Sequence, residues 1–336
     1  PWVGAMAACV DGACEPGEAA KAGGAPPAPA KLGRPMLFAP AEGPCEAAVI
    51  WLHGFGDGPE GWASLFRRFR AKAPGARWKW LHLRALRTPQ ACYGGRRVAA
   101  WGSFLSQDII HVGSEDYESP DADGRYAASV EVVRAQVEAL ESDTGIPPER
   151  VVIAGFSQGA ALALQFACQH PRRLAGCIAL SGWLTPAARA ALVENANLPG
   201  GGLRGAPCLV CHGTKDDMVG FDCGDTAAKA LQKAHVEATF ERLEGVEHSS
   251  CPQELQAVTR FLRSALAPSE GQQLPPEEQE EAVDGEEESE EELLLEEGEE
   301  EELELDESEE EEASEEEQDG GDSTGVNGSE GPLPKR

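Results

Sequence analysis

The sequence predicts an α/β protein: a doubly wound, mostly parallel sheet with helices on both faces, in a single domain with disordered termini. Three observations lead there. Short apolar segments bounded by Gly, Pro or polar clusters recur through the middle of the chain, segments of helical periodicity separate them, and the two ends have compositions that cannot build a core.

The strand candidates are, in order, Ala47–Leu52, 78–83, 151–154, 174–180, 207–211 and 238–243. They are read as apolar on both faces, as strands covered by two layers should be. Between them, 128–142 sets Val130, Val133, Val137 and Leu140 at three- and four-residue spacing, the mark of a helix with one buried stripe. Segments 160–168 and 253–266 repeat that pattern. Strand and helix in alternation make parallel neighbours and one domain over residues 36–270. No internal repeat is visible.

Residues 1–35 are rich in Ala, Gly and Pro and read as a flexible leader; residues 271–336 are dominated by Glu and read as a disordered acidic tail. Leu293, Leu294 and Leu295 form the tail's lone apolar island and read as incidental, with a docking motif as the alternative. The net charge of −31 belongs to that end: from Ala267 onward there are 31 acidic and 2 basic residues, a net of −29, against 28 acidic and 26 basic before it, a net of −2. Whole-chain charge therefore says little about what the body binds. No nucleic-acid partner is expected, whereas the tail would attract Lys/Arg-rich proteins at low salt.

Ten cysteines are dispersed over a chain far larger than a disulfide scaffold, and Cys168, Cys177, Cys208 and Cys211 fall in apolar segments. Free thiols in a reducing, cytoplasmic compartment are the economical reading. Cys208 and Cys211 spell C-x-x-C, but residues three apart on a strand face opposite ways, and no second Cys/His pair has zinc spacing. No metal site is expected. No apolar run approaches the ~20 residues that span a bilayer. The sequence begins at Pro1 rather than Met, so a targeting peptide upstream stays open, as does acylation of Cys9 or Cys14.

The chemistry concentrates at GFSQG (155–159), a G-x-S-x-G with a strand before it and a helix opening after it. That context matters more than the letters: a sharp strand-to-helix turn needs glycines where side chains would clash, and it lifts the Ser157 hydroxyl out at the positive end of a helix. A serine at its ordinary pKa is a poor nucleophile and needs a base held by a carboxylate. His248, between the 238–243 strand and the last helix, is placed to be that base. His235 competes but lies in a helix-like, solvent-facing stretch. Asp216 and Asp217, in the loop after 207–211, are both placed to supply the acid, and spacing does not choose between them. An oxyanion hole needs two backbone donors. One is the amide after the nucleophile, Gln158; the other comes from the glycine-rich loop 53–58. His53 comes too early in chain order for a base and reads as loop packing.

These stretches together resemble the acyl-protein thioesterase and lysophospholipase-like carboxylesterase family of α/β-hydrolases. The resemblance runs from about residue 49 to 266 through LHGFGDGPEGW (52–62), GFSQGAALAL (155–164), LAGCIALSGWL (174–184), HGTKDDMV (212–219) and HSSCPQE (248–254). It implies Ser157, Asp216 and His248 as a catalytic triad and the backbones of Phe55 and Gln158 as the oxyanion hole. Trp101 and Trp183 fall at the substrate pocket, and no cofactor is implied. The implied reaction is hydrolysis of acyl thioesters or esters: S-acyl proteins, lysophospholipids or carboxylic esters, with transient contact to a membrane surface. The alternative is an interaction protein whose acidic tail holds basic partners. Four departures stand out. Phe55 replaces the usual Leu, Ser103 the acidic residue after Trp101, Arg96 and Arg97 typically apolar residues, and Asp217 the Pro after the catalytic Asp.

Overall fold

A computed structural model describes residues 33–39, 44–63, 66, 77–119, 123–195 and 202–267. The residues read as leader up to 32, with Cys9 and Cys14, and those of the acidic tail from 268 onward, with the Leu293–295 island, lie outside them. Seven strands make one sheet: β1 (Gly33–Phe38), β2 (Ala47–Leu52), β3 (Trp78–Arg84), β6 (Val151–Phe156), β7 (Gly176–Leu180), β8 (Pro207–Gly213) and β9 (Glu237–Leu243). Their order is β1-β3-β2-β6-β7-β8-β9, with β1 antiparallel to β3 and every other pairing parallel. The remaining strands, β4 (Arg87–Pro89) and β5 (Arg97–Ala99), form a separate antiparallel hairpin. The helices are α1 (Glu115–Glu118), α2 (Arg125–Thr144), α3 (Gln158–Gln169), α4 (Pro186–Asn195), α5 (Phe221–Lys233) and α6 (Pro252–Ala265).

Alternation along β2 shows how the sheet divides the core. Ala48, Ile50 and Leu52 enter the layer packed by α2, α3, α4 and α5, whereas Ala47, Val49 and Trp51 enter the layer packed by α6 and Phe66. Both sets are buried, so the central strands carry apolar residues at every position. Helix α3 is covered all round, from Gln158 to Cys168, which is why its sequence is apolar on every face. Each leucine-sized side chain taken out of water on these faces contributes roughly 1.5–3 kcal/mol. Cys208 and Cys211 lie in opposite layers, and neither is bonded to another cysteine.

The structure departs from the sequence reading at the edges. Strand β9 is not apolar on both faces: Glu237, Thr239 and Arg242 are exposed, as an edge strand allows. Strand β1 begins at Gly33, inside the stretch read as leader, and its half-exposed residues gave no alternating signal. Helices α1, α4 and α5 and the three-residue strands of the hairpin are not among the elements the sequence predicts. His235 is not in a helix; it follows α5 in the turn before β9, exposed and with φ of 60°. No helix among the described residues is long and apolar enough to cross a membrane.

Topology places the site. The chain leaves β2 for β3 on one side, then returns to pair β6 with the other side of β2. Ligand crevices of open α/β sheets form where strand order reverses in this way, outside the carboxyl ends of the strands. Loop 53–58 and Ser157 follow the ends of β2 and β6.

Candidate active site

Ser157 holds φ of 54° and ψ of −120°, a conformation that costs a non-glycine residue on the order of 1–3 kcal/mol. The surroundings impose it. Its N–H donates to Leu180 O on β7 at 2.8 Å, and its carbonyl accepts from Ala160 and Ala161 in the first turn of α3 at 3.0 and 3.1 Å. A Cβ on Gly159 would stand 2.2 Å from Leu52 O, and one on Gly155 would stand 2.4 Å from the Gly159 carbonyl. The flanking glycines are thus required by the approach of strand β2 and of the helix itself.

The donors beside Ser157 are held by a buried polar network. Trp101 N–H donates to Gln158 Oε1 at 2.9 Å, Trp101 Nε1 to His53 O at 2.8 Å, and Ser129 Oγ to Trp101 O at 2.6 Å. Gln158 Nε2 donates to Gly102 O at 3.3 Å, and its carbonyl accepts from Tyr126 Oη at 2.8 Å. Trp101 thus ties loop 53–58 to the start of α3. Among the described residues no protein acceptor takes the N–H of Phe55 or of Gln158. His53 serves the same scaffold: its Nε2 accepts from Ala85 N–H at 3.0 Å and its Nδ1 donates to Gly54 O at 2.7 Å. Burial holds its pKa down, so it is a neutral brace.

His248 Nδ1 lies 2.9 and 2.8 Å from the two Asp216 oxygens. Its ring packs on Phe156, the residue before the serine, with centroids 4.8 Å apart. Asp216 Oδ1 also accepts from Val219 N–H at 2.8 Å and Met218 N–H at 3.1 Å. Burial raises the Asp216 pKa, but the hydrogen bond and charge of His248, the Val219 amide and His212 outweigh it and hold the carboxyl below the ordinary carboxylate value. Asp217, next along, is exposed.

Two titratable residues that the sequence reading passed over stand behind this pair. His212 is fully buried; its Nε2 donates to Val219 O at 2.8 Å and lies 3.5 Å from Asp216 Oδ2. Burial keeps its pKa low, against opposing contributions from that carbonyl and Asp216, so the neutral ring pins the acid loop. Its signal was present: it ends a buried strand four residues before the aspartate. Glu254, in the first turn of α6, is buried, and burial with a smaller push from the Asp216 charge raises its pKa to about 8.

The expected pocket tryptophans are interior: Trp101 is 1% and Trp183 0% exposed. Phe55, on the loop after β2, is half-buried and packs against Phe104 at 4.9 Å and Tyr93 at 6.0 Å, both also half-buried, with Phe104 in turn 6.2 Å from Trp183. Ser103 recovers a carboxylate from elsewhere: its Oγ donates to Asp123 Oδ2 at 2.5 Å, and Arg125, paired with Asp123 at 3.1 Å, closes the group.

A parallel sheet carrying a strained serine on a strand-to-helix turn, with an Asp–His pair brought beside it, defines an α/β-hydrolase of the serine acyl hydrolase class. The chain belongs to the Phospholipase/Carboxylesterase family, whose model matches residues 37–266. It is similar to acyl-protein thioesterase 1 of Gibberella zeae, 30% identical over 70% of this chain and 96% of that one. A probable carboxylesterase of Oryza sativa subsp. japonica is 31% identical over 70% of this chain and 83% of its own. The crystal structure of Arabidopsis thaliana SOBER1 superposes with a TM-score of 0.57 at 29% identity, covering 66% of this chain and 99% of that one. Zea mays acyl-protein thioesterase 2 gives a TM-score of 0.53 at 26% identity, covering 70% of this chain and 99% of that one.

Proposed function

We propose that Ser157 is the nucleophile, His248 the general base and Asp216 its orienting carboxylate, and that the protein cleaves acyl thioesters and esters, acylated proteins among them. The observation that carries this reading is the Asp216–His248 hydrogen bond standing beside the strained Ser157 turn. His248 takes the serine proton as Oγ attacks the carbonyl, and Asp216 stabilises the imidazolium. The unclaimed amides of Phe55 and Gln158 receive the oxyanion, each contributing on the order of 3 kcal/mol to the transition state. The leaving thiol or alcohol takes the proton from His248, and water then repeats the sequence to release the acid. Side chains and backbone amides supply every step. The relatives named acyl-protein thioesterase support S-acyl proteins as substrates. All eight cysteines among the described residues are free, which supports a reducing compartment and a cytoplasmic location.

A fluorophosphonate probe tests the assignment. Wild type is expected to label stoichiometrically and Ser157→Ala not at all, with kcat reduced by about 10⁵–10⁶. Equal labelling of both would sink it. Steady-state comparison of matched esters and thioesters of short and long acyl chains then sets the preferred substrate.

A further inference from the structure

The near-neutral body conceals a segregation of charge. Residues 61–107 contain ten Lys and Arg and no Asp or Glu, which leaves the rest of the first 266 residues at a net of −12. Within this run Arg77 pairs with Glu46 at 2.7 Å, and Arg84 pairs with Glu60. Arg87, Arg96 and Arg97, on the β4–β5 hairpin, are different. All three are exposed, and none has a carboxylate partner among the described residues. Arg87 Nη2 donates to Arg97 O at 3.2 Å, which lays the Arg87 cation against the backbone of β5.

That hairpin is fastened to the site. Gly56 N–H donates to Ala99 O at 2.8 Å, and the Phe55 ring packs on Tyr93 in the hairpin turn. The hairpin that carries these three arginines, none paired with a carboxylate among the described residues, therefore borders the loop assigned to the oxyanion. Such a cluster raises the local concentration of anions and fits carboxylates through paired N–H donors. An apolar acyl chain carries no charge, so negative charge in an S-acyl substrate belongs to the leaving group, beyond the scissile bond.

Two sources of such charge are an acidic polypeptide and an anionic bilayer, and the hairpin tip distinguishes them. Its exposed turn residues are Ala91, Gly94 and Gly95, and no large apolar side chain between 87 and 100 is exposed. Seating in a bilayer needs apolar area from residues such as Trp, Phe or Leu, which this tip lacks. We propose that Arg87, Arg96 and Arg97 form a recognition rim for Asp/Glu-rich sequence flanking the acylated side chain, making acidic S-acyl proteins the preferred substrates. This rests on the acyl hydrolase reading above and specifies its leaving group.

The test uses the full chain and three S-acyl peptides with one acyl group and acidic, neutral or basic flanks, beside a small neutral aryl ester. At low salt, kcat/KM for the acidic peptide is expected to exceed that for the neutral one roughly tenfold, through KM. The advantage should vanish at about 0.5 M salt and in Arg96→Ser/Arg97→Ser, while the aryl ester is hydrolysed equally by both proteins. Equal kcat/KM for the three peptides, or a preference that survives the double substitution, overturns the proposal. So does the same arginine dependence for a neutral S-acyl peptide carried on vesicles of anionic phospholipid, which assigns the rim to lipid. If neither ester nor peptide is hydrolysed, the acyl hydrolase reading has failed instead. Anisotropy of the labelled acidic peptide with Ser157→Ala then decides the rim: salt-sensitive binding supports it and no binding overturns it.

Discussion

The turn that carries Ser157 and the loops that carry Asp216 and His248, proposed to serve one site, are built by opposite means. The turn is local. Gly155, Ser157 and Gly159 lie within five residues, and backbone contacts from β2, β7 and α3 leave the serine one conformation. The acid–base pair is assembled across 32 residues, between the loop after β8 and the loop before α6, by side-chain bonds to ordinary backbone. A site of this kind has one part that is rigid by sterics and another that is rigid by hydrogen bonds. The two parts should fail differently.

Breaking the hydrogen-bonded half comes first in size. Asp216→Asn is expected to lower kcat by about 10⁴ while leaving thermal unfolding nearly unchanged, because an amide oxygen still accepts from Val219 and Met218. Activity assays beside circular dichroism check it, and a melting point that falls in step with kcat would count against the division. The steric half should show the reverse. Gly159→Ala drives a methyl into Leu52 O, with His53 O also within 2.5 Å, so stability is expected to fall by at least about 3 kcal/mol in denaturant titration.

The scaffold beneath β1 separates loss of fold from loss of chemistry in acid. His82 is buried among Phe38, Trp51, Phe66 and Trp80, neither ring nitrogen has a hydrogen-bond partner among the described residues, and burial lowers its pKa to about 4. A base whose folded pKa lies below its ordinary 6.5 favours the native state while neutral. Its contribution is therefore whole above pH 6.5 and lost as pH falls from there toward 4, about 3 kcal/mol in all. His82→Phe should flatten stability over that window without changing kcat at neutral pH; equal acid sensitivity in the variant would remove His82 as the cause. The smallest effect is expected at His212. Gln retains a donor for Val219 O and should cost less than tenfold in kcat. Ala leaves that buried carbonyl unpaired, at about 1–3 kcal/mol, and should cost more. Identical losses in the two variants would show that the hydrogen bond does not position Asp216.

The contrast also explains what was legible. GFSQG and the order of the blocks around it could be read because a steric requirement writes itself into neighbouring residues. Asp216 and Asp217 were indistinguishable by spacing, since what separates them is which carboxylate turns inward to His248 and the Val219 amide. Glu254 was missed because a polar residue buried behind a site leaves no periodicity, whereas His212 had only its place at the end of a buried strand to mark it. Asp123 could not have been foreseen beside Ser103, since the chain returns a carboxylate there from twenty residues away.

By itself the sequence determined the central parallel strands, the covered helix α3, the tight turn at 155–159 and the concentration of acid after residue 266, all consequences of burial, backbone sterics or composition acting over a few residues. Only the tertiary structure decided that β1 and β9 are edges, that Trp101 braces two loops instead of lining an open wall, and that the arginines of a short hairpin border the Phe55 loop. Those outcomes depend on which distant segments meet, and pairing across the sheet is a property of the whole fold.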